Sequence, residues 1–164
     1  MKSLIVIRHA KSDRDQPFLA DIDRPLNNRG KRDAPVMGDV LKFRGQEPDL
    51  IVTSPAKRAL ETAELIAETV GYDSRAIAVR DSIYLQGTPA LLELIRSLED
   101  IHNRVYLIGH NPDLSELVTR LTGESLGTLP TCGIAAIEFP VDAWAYVMHG
   151  SGRLVFFDSP KQHP

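Results

Sequence analysis

The sequence predicts an α/β fold: a mainly parallel sheet carrying helices on both faces, three layers in all. Three observations predict it. The runs Leu4–Ile7, Leu50–Val52 and Val105–Ile108 are short, apolar and without polar alternation, which suits strands covered on both faces. The stretches between them repeat apolar residues on a helical period. Strand therefore alternates with helix along the chain, the pattern of a parallel sheet built from βαβ units.

Each element has its own signals. Leu4–Ile7 forms the first strand. Arg14 to Pro25 then shows no period at all, and a long irregular segment in a compact domain is often functional. A helix is predicted over about Asn28 to Phe43, capped by Asn27, with a kink or restart near Asp33 because Pro35 falls inside it. After the Leu50–Val52 strand, Ser54-Pro55 places a capping residue before a proline at the first helical position. Ala59, Leu60, Ala63, Ile66, Ala67 and Val70 follow on one face, and Gly71 supplies the stop. Ala76–Val79 reads as a weaker strand. Thr88-Pro89 repeats the start signal ahead of Leu91, Leu92, Ile95 and Leu98. Beyond Val105–Ile108, Asn111-Pro112 does so again ahead of Leu114, Leu117, Val118 and Leu121, which run up to Gly123. Gly133–Phe139 and Arg153–Phe157 read as closing strands, near enough in sequence to lie adjacent in the sheet.

Bulk properties narrow the function classes. The 164 residues fit one domain, 1–164, and a domain of that size buries roughly 70% of its unfolded surface. Hydrophobic residues at 43% and charged residues at 25% describe an ordinary globular protein. A net charge of −3 argues against nucleic acid as a partner, since a general nucleic-acid binder shows a basic patch or stripe. It leaves room for one small basic pocket, because local and net charge are separate quantities. The single cysteine, Cys132, excludes an intrachain disulfide framework and suits a reducing compartment. The apolar run at the N-terminus is too short for a signal peptide. No stretch approaches the ~20 apolar residues of a membrane span, so no membrane association and a cytoplasmic location are expected.

The chemistry gathers where the strands end. In open α/β sheets ligands bind beyond the carboxyl ends of the strands. The first strand ends in Arg8-His9. The second leads through Thr53-Ser54 into a helix presenting Arg58. The Val105–Ile108 strand leads through Gly109 to His110. Two arginines and two histidines thus converge, and two of these segments open helices, whose N-termini offer free N–H groups and partial positive charge. Guanidinium forks match phosphate oxygens. Such a trap becomes a phosphatase if a histidine accepts the phosphoryl group, its second ring nitrogen donating to a backbone carbonyl so that the tautomer is fixed. Neither a metal nor another cofactor is called for, since no carboxylate and histidine spacing typical of a metal site is present.

The segments LIVIRHAKS (Leu4–Ser12), DRPLNNRG (Asp23–Gly30), IVTSPAKRALETAE (Ile51–Glu64) and YLIGHNP (Tyr106–Pro112) resemble, in order, the motifs of the histidine phosphatase superfamily, the phosphoglycerate mutase-like or RHG family. The resemblance is to its short bacterial branch, the SixA-type phosphohistidine phosphatases. It implies a single-domain phosphoglycerate mutase-like fold, with His9 as the phosphorylated nucleophile and Arg8, Arg58 and His110 holding the phosphate. It further implies Arg24 and Ser12 as substrate-binding residues. Two positions depart from the family pattern. The name-giving Arg-His-Gly reads Arg8-His9-Ala10, and the stretch where larger members carry a glutamate acid, Asp81 to Gly87, has none. Asp13, Asp15, Asp21, Asp23 and Asp81 are all available as acids, and nothing in the sequence selects one.

That gap bears on substrate. An alkoxide leaving group calls for a proton donor, whereas imidazole, with a reference pKa of about 6.5, can leave already protonated. The sequence therefore favours phosphohistidine in a partner protein of the histidine-containing phosphotransfer type. A phosphatase for small phosphate monoesters, with Asp13 or Asp15 as acid, and a catalytically silent phosphate-binding module are the alternatives. Other residues have plainer readings. Glu61 and Glu64 suit a solvated helix face, His102, His149 and His163 the surface, and Cys132 a small core position. A cysteine-based phosphatase loop would need an arginine six residues after Cys132, where Glu138 stands.

Overall fold

The computed structural model describes all residues, 1–164. Six strands, β1 (Lys2–Arg8), β2 (Leu50–Thr53), β3 (Ala78–Val79), β4 (Arg104–Gly109), β5 (Ile134–Phe139) and β6 (Arg153–Asp158), form one sheet in the order β3-β2-β4-β1-β5-β6. The first four in that order run parallel; β5 is antiparallel to β1, and β6 antiparallel to β5. The four helices are α1 (Asn28–Phe43), α2 (Lys57–Val70), α3 (Thr88–Arg96) and α4 (Asp113–Thr122).

Period-two alternation divides the sheet's side chains between two cores. Leu4 and Val6 of β1 and Val105 and Leu107 of β4 point into a cluster with Leu91, Leu92 and Ile95 of α3 and Leu114, Leu117 and Val118 of α4. Ile5, Ile7, Tyr106 and Ile108 point the other way, onto Met37 and Leu41 of α1 and Ala63 and Ile66 of α2. The continuous apolar runs are thus explained: β1 and β4 are buried on both faces. Side chains of this size each contribute about 1.5–3 kcal/mol when fully buried.

Element boundaries follow the sequence signals in part. Asn27 caps α1, its carboxamide oxygen accepting from Gly30 N–H at 2.9 Å. Gly71 and Gly123 end α2 and α4 in the left-handed conformation, at φ 78° and 76°. The three Pro-containing starts differ from expectation. Ser54 lies two residues before the α2 cap position, which Ala56 occupies, and its hydroxyl accepts from Ala56 N–H. Gly87 precedes α3, and the Thr88 hydroxyl donates to Glu116 instead. Pro112 takes the cap position of α4, while Asn111 reaches in from one residue earlier to accept from the Ser115 hydroxyl at 2.7 Å. α1 continues without interruption through Pro35; burial of Ala34, Met37 and Leu41 on either side holds it together. β3 is shorter than predicted because Ser74–Ala76 forms a 3-10 turn, capped by the Asp73 carboxylate, which accepts from Arg75 N–H.

Candidate active site

Four loops meet beyond the carboxyl ends of β1, β2 and β4. β1 delivers Arg8 and His9, and His9 is fastened by its backbone to the end of β4 and to the turn before β5. Its N–H donates to Gly109 O at 3.1 Å, and its carbonyl accepts from Cys132 N–H at 3.0 Å. Gly109 lets β4 pass closely behind, since a Cβ there would lie 2.8 Å from Ile83 Cγ2. Arg58 is the second residue of α2, and His110 directly follows β4.

His9 is 7% exposed, and its Nδ1 lies 2.7 Å from Ala10 O. A carbonyl only accepts, so Nδ1 carries the proton and Nε2 presents its lone pair. That lone pair faces Arg58 Nε at 3.4 Å. Burial lowers the His9 pKa to about 3; the Ala10 bond opposes this, and His110, Arg58 and Arg8 add to it. The ring is neutral at physiological pH.

His110 is held between Ser54 and Arg58. Its Nε2 is 2.8 Å from Ser54 Oγ, and Arg58 Nη2 donates to its Nδ1 at 3.4 Å. Burial lowers its pKa to about 4, with the Arg58 charge next in effect and the Asp21 carboxylate opposing. The two imidazoles lie 5.2 Å apart, centroid to centroid. Arg8 donates through Nη1 to Leu129 O at 2.9 Å, and its buried Nε has no partner. Burial and the nearby Arg14 and Arg58 lower the Arg8 pKa. An unpaired buried N–H costs free energy unless something accepts from it; here it stands among like charges that an anion would relieve.

Arg24 and Ser12 are brought to the same mouth. Arg24 Nη1 donates to Ser12 Oγ at 2.6 Å, and its Nε and Nη2 donate to Asp21 Oδ1 at 3.1 and 3.0 Å. Five of the six predicted residues therefore join one hydrogen-bonded cluster through Arg58 and Asp21, and Arg8 adjoins it as the residue before His9. Three others join it: the sequence left Asp21 as one of five candidate acids and did not single out Tyr84 or Thr62. Asp21, in a 3-10 turn of the irregular segment, accepts from Arg58 Nη2 at 3.0 Å and, through its carbonyl, from Nη1 at 2.8 Å. Tyr84 donates to Asp21 Oδ2 at 2.6 Å and meets the His110 ring edge-on at 5.4 Å. Thr62, one turn after Arg58, donates to Arg58 O at 2.7 Å and accepts from Ala10 N–H at 3.0 Å, which ties α2 to the His9 loop. Its spacing of four from Arg58 was the available signal. Glu61 is more than a solvated residue, since Oε1 accepts from Leu26 N–H at 2.9 Å and anchors the same irregular segment.

Of the five aspartates open as acids, only Asp21 bonds to the cluster through its carboxylate, and it is held ionised well below the usual carboxylate range. The Tyr84 hydroxyl is the main cause; burial opposes it, and Arg24 and Arg58 add to the lowering. Asp13 meets Arg24 Nη1 only through its backbone carbonyl, at 3.4 Å. Asp13 is taken up by its own turn, accepting from Asp15 N–H and the Gln16 carboxamide. Cys132 is fully buried, which raises its pKa, and it packs in the α1/α2 core. No group of three or more His, Cys, Asp or Glu side chains is placed to hold a metal ion. No helix is long and apolar enough to cross a membrane.

Comparison with known proteins agrees with this geometry. The sequence profile of the histidine phosphatase superfamily (branch 1) matches residues 4–81. An uncharacterised chloroplast protein of Arabidopsis thaliana is 32% identical over 92% of this chain and 73% of its own length. A structure from Agrobacterium tumefaciens that carries the provisional name phosphohistidine phosphatase SixA superposes with a TM-score of 0.82 at 28% identity, covering 97% of this chain and 98% of that one. The protein histidine phosphatase SixA complexed with tungstate shares the fold, with a TM-score of 0.81 at 23% identity and 99% of both chains covered. Fold and matches together define an enzyme class, the phosphatases that use a histidine nucleophile. The chain belongs to the histidine phosphatase superfamily.

Proposed function

We propose that His9 is the nucleophile, that Arg8, Arg58 and His110 hold the phosphoryl group, and that Arg24 and Ser12 contact the substrate. The substrate in this reading is phosphohistidine in a partner protein of the histidine-containing phosphotransfer type. One observation carries it: His9 is a neutral imidazole whose Nδ1–H is committed to Ala10 O, so its only lone pair, on Nε2, faces the guanidinium of Arg58. The unpaired Arg8 Nε adds a donor for a phosphoryl oxygen.

The reaction runs in two displacements. His9 Nε2 attacks phosphorus; the Nε2–P bond forms, the substrate's P–N bond breaks, and its electron pair returns to the leaving ring nitrogen. Phospho-His9 keeps its proton on Nδ1 through the Ala10 bond. When water attacks phosphorus, His9 therefore departs as neutral imidazole and the water proton passes to solvent. The guanidiniums draw charge from the phosphoryl oxygens in both steps, and holding the group in line supplies much of the remaining acceleration. Small monoesters suit the site less, because the one carboxylate at its mouth is held ionised and cannot protonate an alkoxide.

Rapid quenching with an aryl phosphate should trap an acid-labile phosphoenzyme that His9→Ala abolishes; an undiminished phosphoenzyme in His9→Ala refutes the assignment. Turnover of phosphohistidine peptides should exceed that of sugar phosphates in kcat/KM by about 100-fold or more, the scale of one missing general acid. Parity between the two refutes the substrate class.

A further inference from the structure

The proposed function leaves Asp21 without a task, although its carboxylate joins three side chains at the site's mouth. Its carboxylate accepts from Arg58 Nη2, Arg24 Nε and Nη2, and the Tyr84 hydroxyl, and its side chain is 48% exposed at the solvent-facing lip. For a phosphatase this is an awkward neighbour. It competes with the phosphoryl oxygens for Arg58, and like charge beside a dianion weakens binding. Held ionised, it gives no proton to a leaving group.

The leaving group of a phosphoramidate supplies a use for it. When the P–N bond of phosphohistidine breaks, the electron pair goes to the ring. If the nitrogen distal to phosphorus carries a proton, neutral imidazole departs; if it does not, the far poorer imidazolate must. We propose that Asp21, braced by Tyr84 and Arg24, accepts the N–H of a protonated nitrogen leaving group, keeps it protonated, and thereby selects phosphoramidates over phosphate esters. The inference rests on His9 as nucleophile and repeats at the substrate what the enzyme does for itself. Ala10 O keeps Nδ1–H on His9, and Asp21 keeps the distal N–H on the leaving ring.

The groups around Asp21 allow this. Facing it are Arg24 from its own segment, Arg58 from α2, Tyr84 from the loop after β3 and His110 from the end of β4. None is a second carboxylate. When a phosphoryl group takes the Arg58 fork, Arg24 and Tyr84 still hold Asp21 in place, with Oδ2 freed of its Arg58 contact and open to a new donor.

Asp21→Asn tests it, with phosphoimidazole and p-nitrophenyl phosphate as probes and kcat/KM measured from pH 6 to 9. The nitrophenolate leaving group needs no proton. The ratio of phosphoimidazole to aryl phosphate turnover should fall by about tenfold or more, as loss of a hydrogen bond to a charged group implies. It should fall from both sides: phosphoimidazole turnover drops, and aryl phosphate turnover rises because Arg58 is released. The alkaline limb of the phosphoimidazole profile should move to lower pH. A smaller fall in the ratio overturns the proposal. Phosphoenzyme trapped from the aryl phosphate shows that the variant is folded with His9 competent. Should Asp21→Asn fail to fold, the same ratio in Tyr84→Phe decides, with a fall of about threefold expected and an unchanged ratio overturning the proposal. If wild-type enzyme forms no phosphoenzyme, the failure lies with His9 as nucleophile; if it forms one and the ratio holds, with Asp21.

Discussion

At the scale of single residues, the site keeps two histidines uncharged. Burial is the main cause for both, and the surrounding guanidiniums reinforce it. This sets a pH dependence of stability whose sign is fixed. An unfolded histidine titrates near 6.5, whereas folded His9 and His110 titrate at about 3 and about 4. As pH falls below 6.5 the unfolded chain takes protons first, so the stabilisation present above that value is lost progressively toward pH 4 and 3. At pH 5 the loss amounts to about 2 kcal/mol for each histidine. Urea midpoints at pH 7 and pH 5 measure it, and His110→Asn should show about half the wild-type difference; an equal difference would remove His110 from the account. His9, Arg8, Arg58 and His110 were legible in the sequence because each stands at a strand end or just inside a helix. Asp21 was one of five equivalent aspartates, since nothing local distinguishes the one that folds onto Arg58.

At the scale of elements, α2 and the loop after β1 must hold Arg58 and His9 in register, and Thr62 is the pin between them. Thr62→Val keeps the shape but leaves Ala10 N–H without its partner. Unfolding free energy should fall by about 1–3 kcal/mol, and kcat should fall more than KM changes, because the His9 loop loosens while Arg8 and Arg58 remain. Calorimetry and steady-state kinetics test the two halves; unchanged kcat would make Thr62 a matter of stability alone. Gly30 sets a second close approach, where a Cβ would overlap the Lys11 carbonyl oxygen. Gly30→Ala should therefore cost about 1–3 kcal/mol, as overpacking against backbone does, measurable as a lower urea midpoint. Helix periods and glycine stops were read correctly from the sequence. The starts were shifted by one or two residues because Ser54, Thr88 and Asn111 spend their side chains on other partners, His110 and Glu116 among them.

At the scale of the whole molecule, the sheet order places β4 and β1 at the centre and β3 and β6 at the edges. Amides of β1 and β4 should exchange with solvent most slowly, close to the rate of global unfolding, and those of β3 and β6 faster; uniform protection across the sheet would contradict this. The same order explains the site, since β1, β2 and β4 are neighbours and release their carboxyl ends into one crevice. By itself the sequence determined the α/β class, the run of strands and helices, the two-sided burial of β1 and β4, and the residues at the strand ends. These are local properties, carried by side-chain period, β-branching and helix stops. Only the tertiary structure decided that Asp21 closes on Arg58, 37 residues away, and that Tyr84, 63 residues from Asp21, braces it. Both lie in irregular segments, where no period constrains a side chain. Their partners are set by where the sheet and helices carry the loops, and that is a property of the assembled fold.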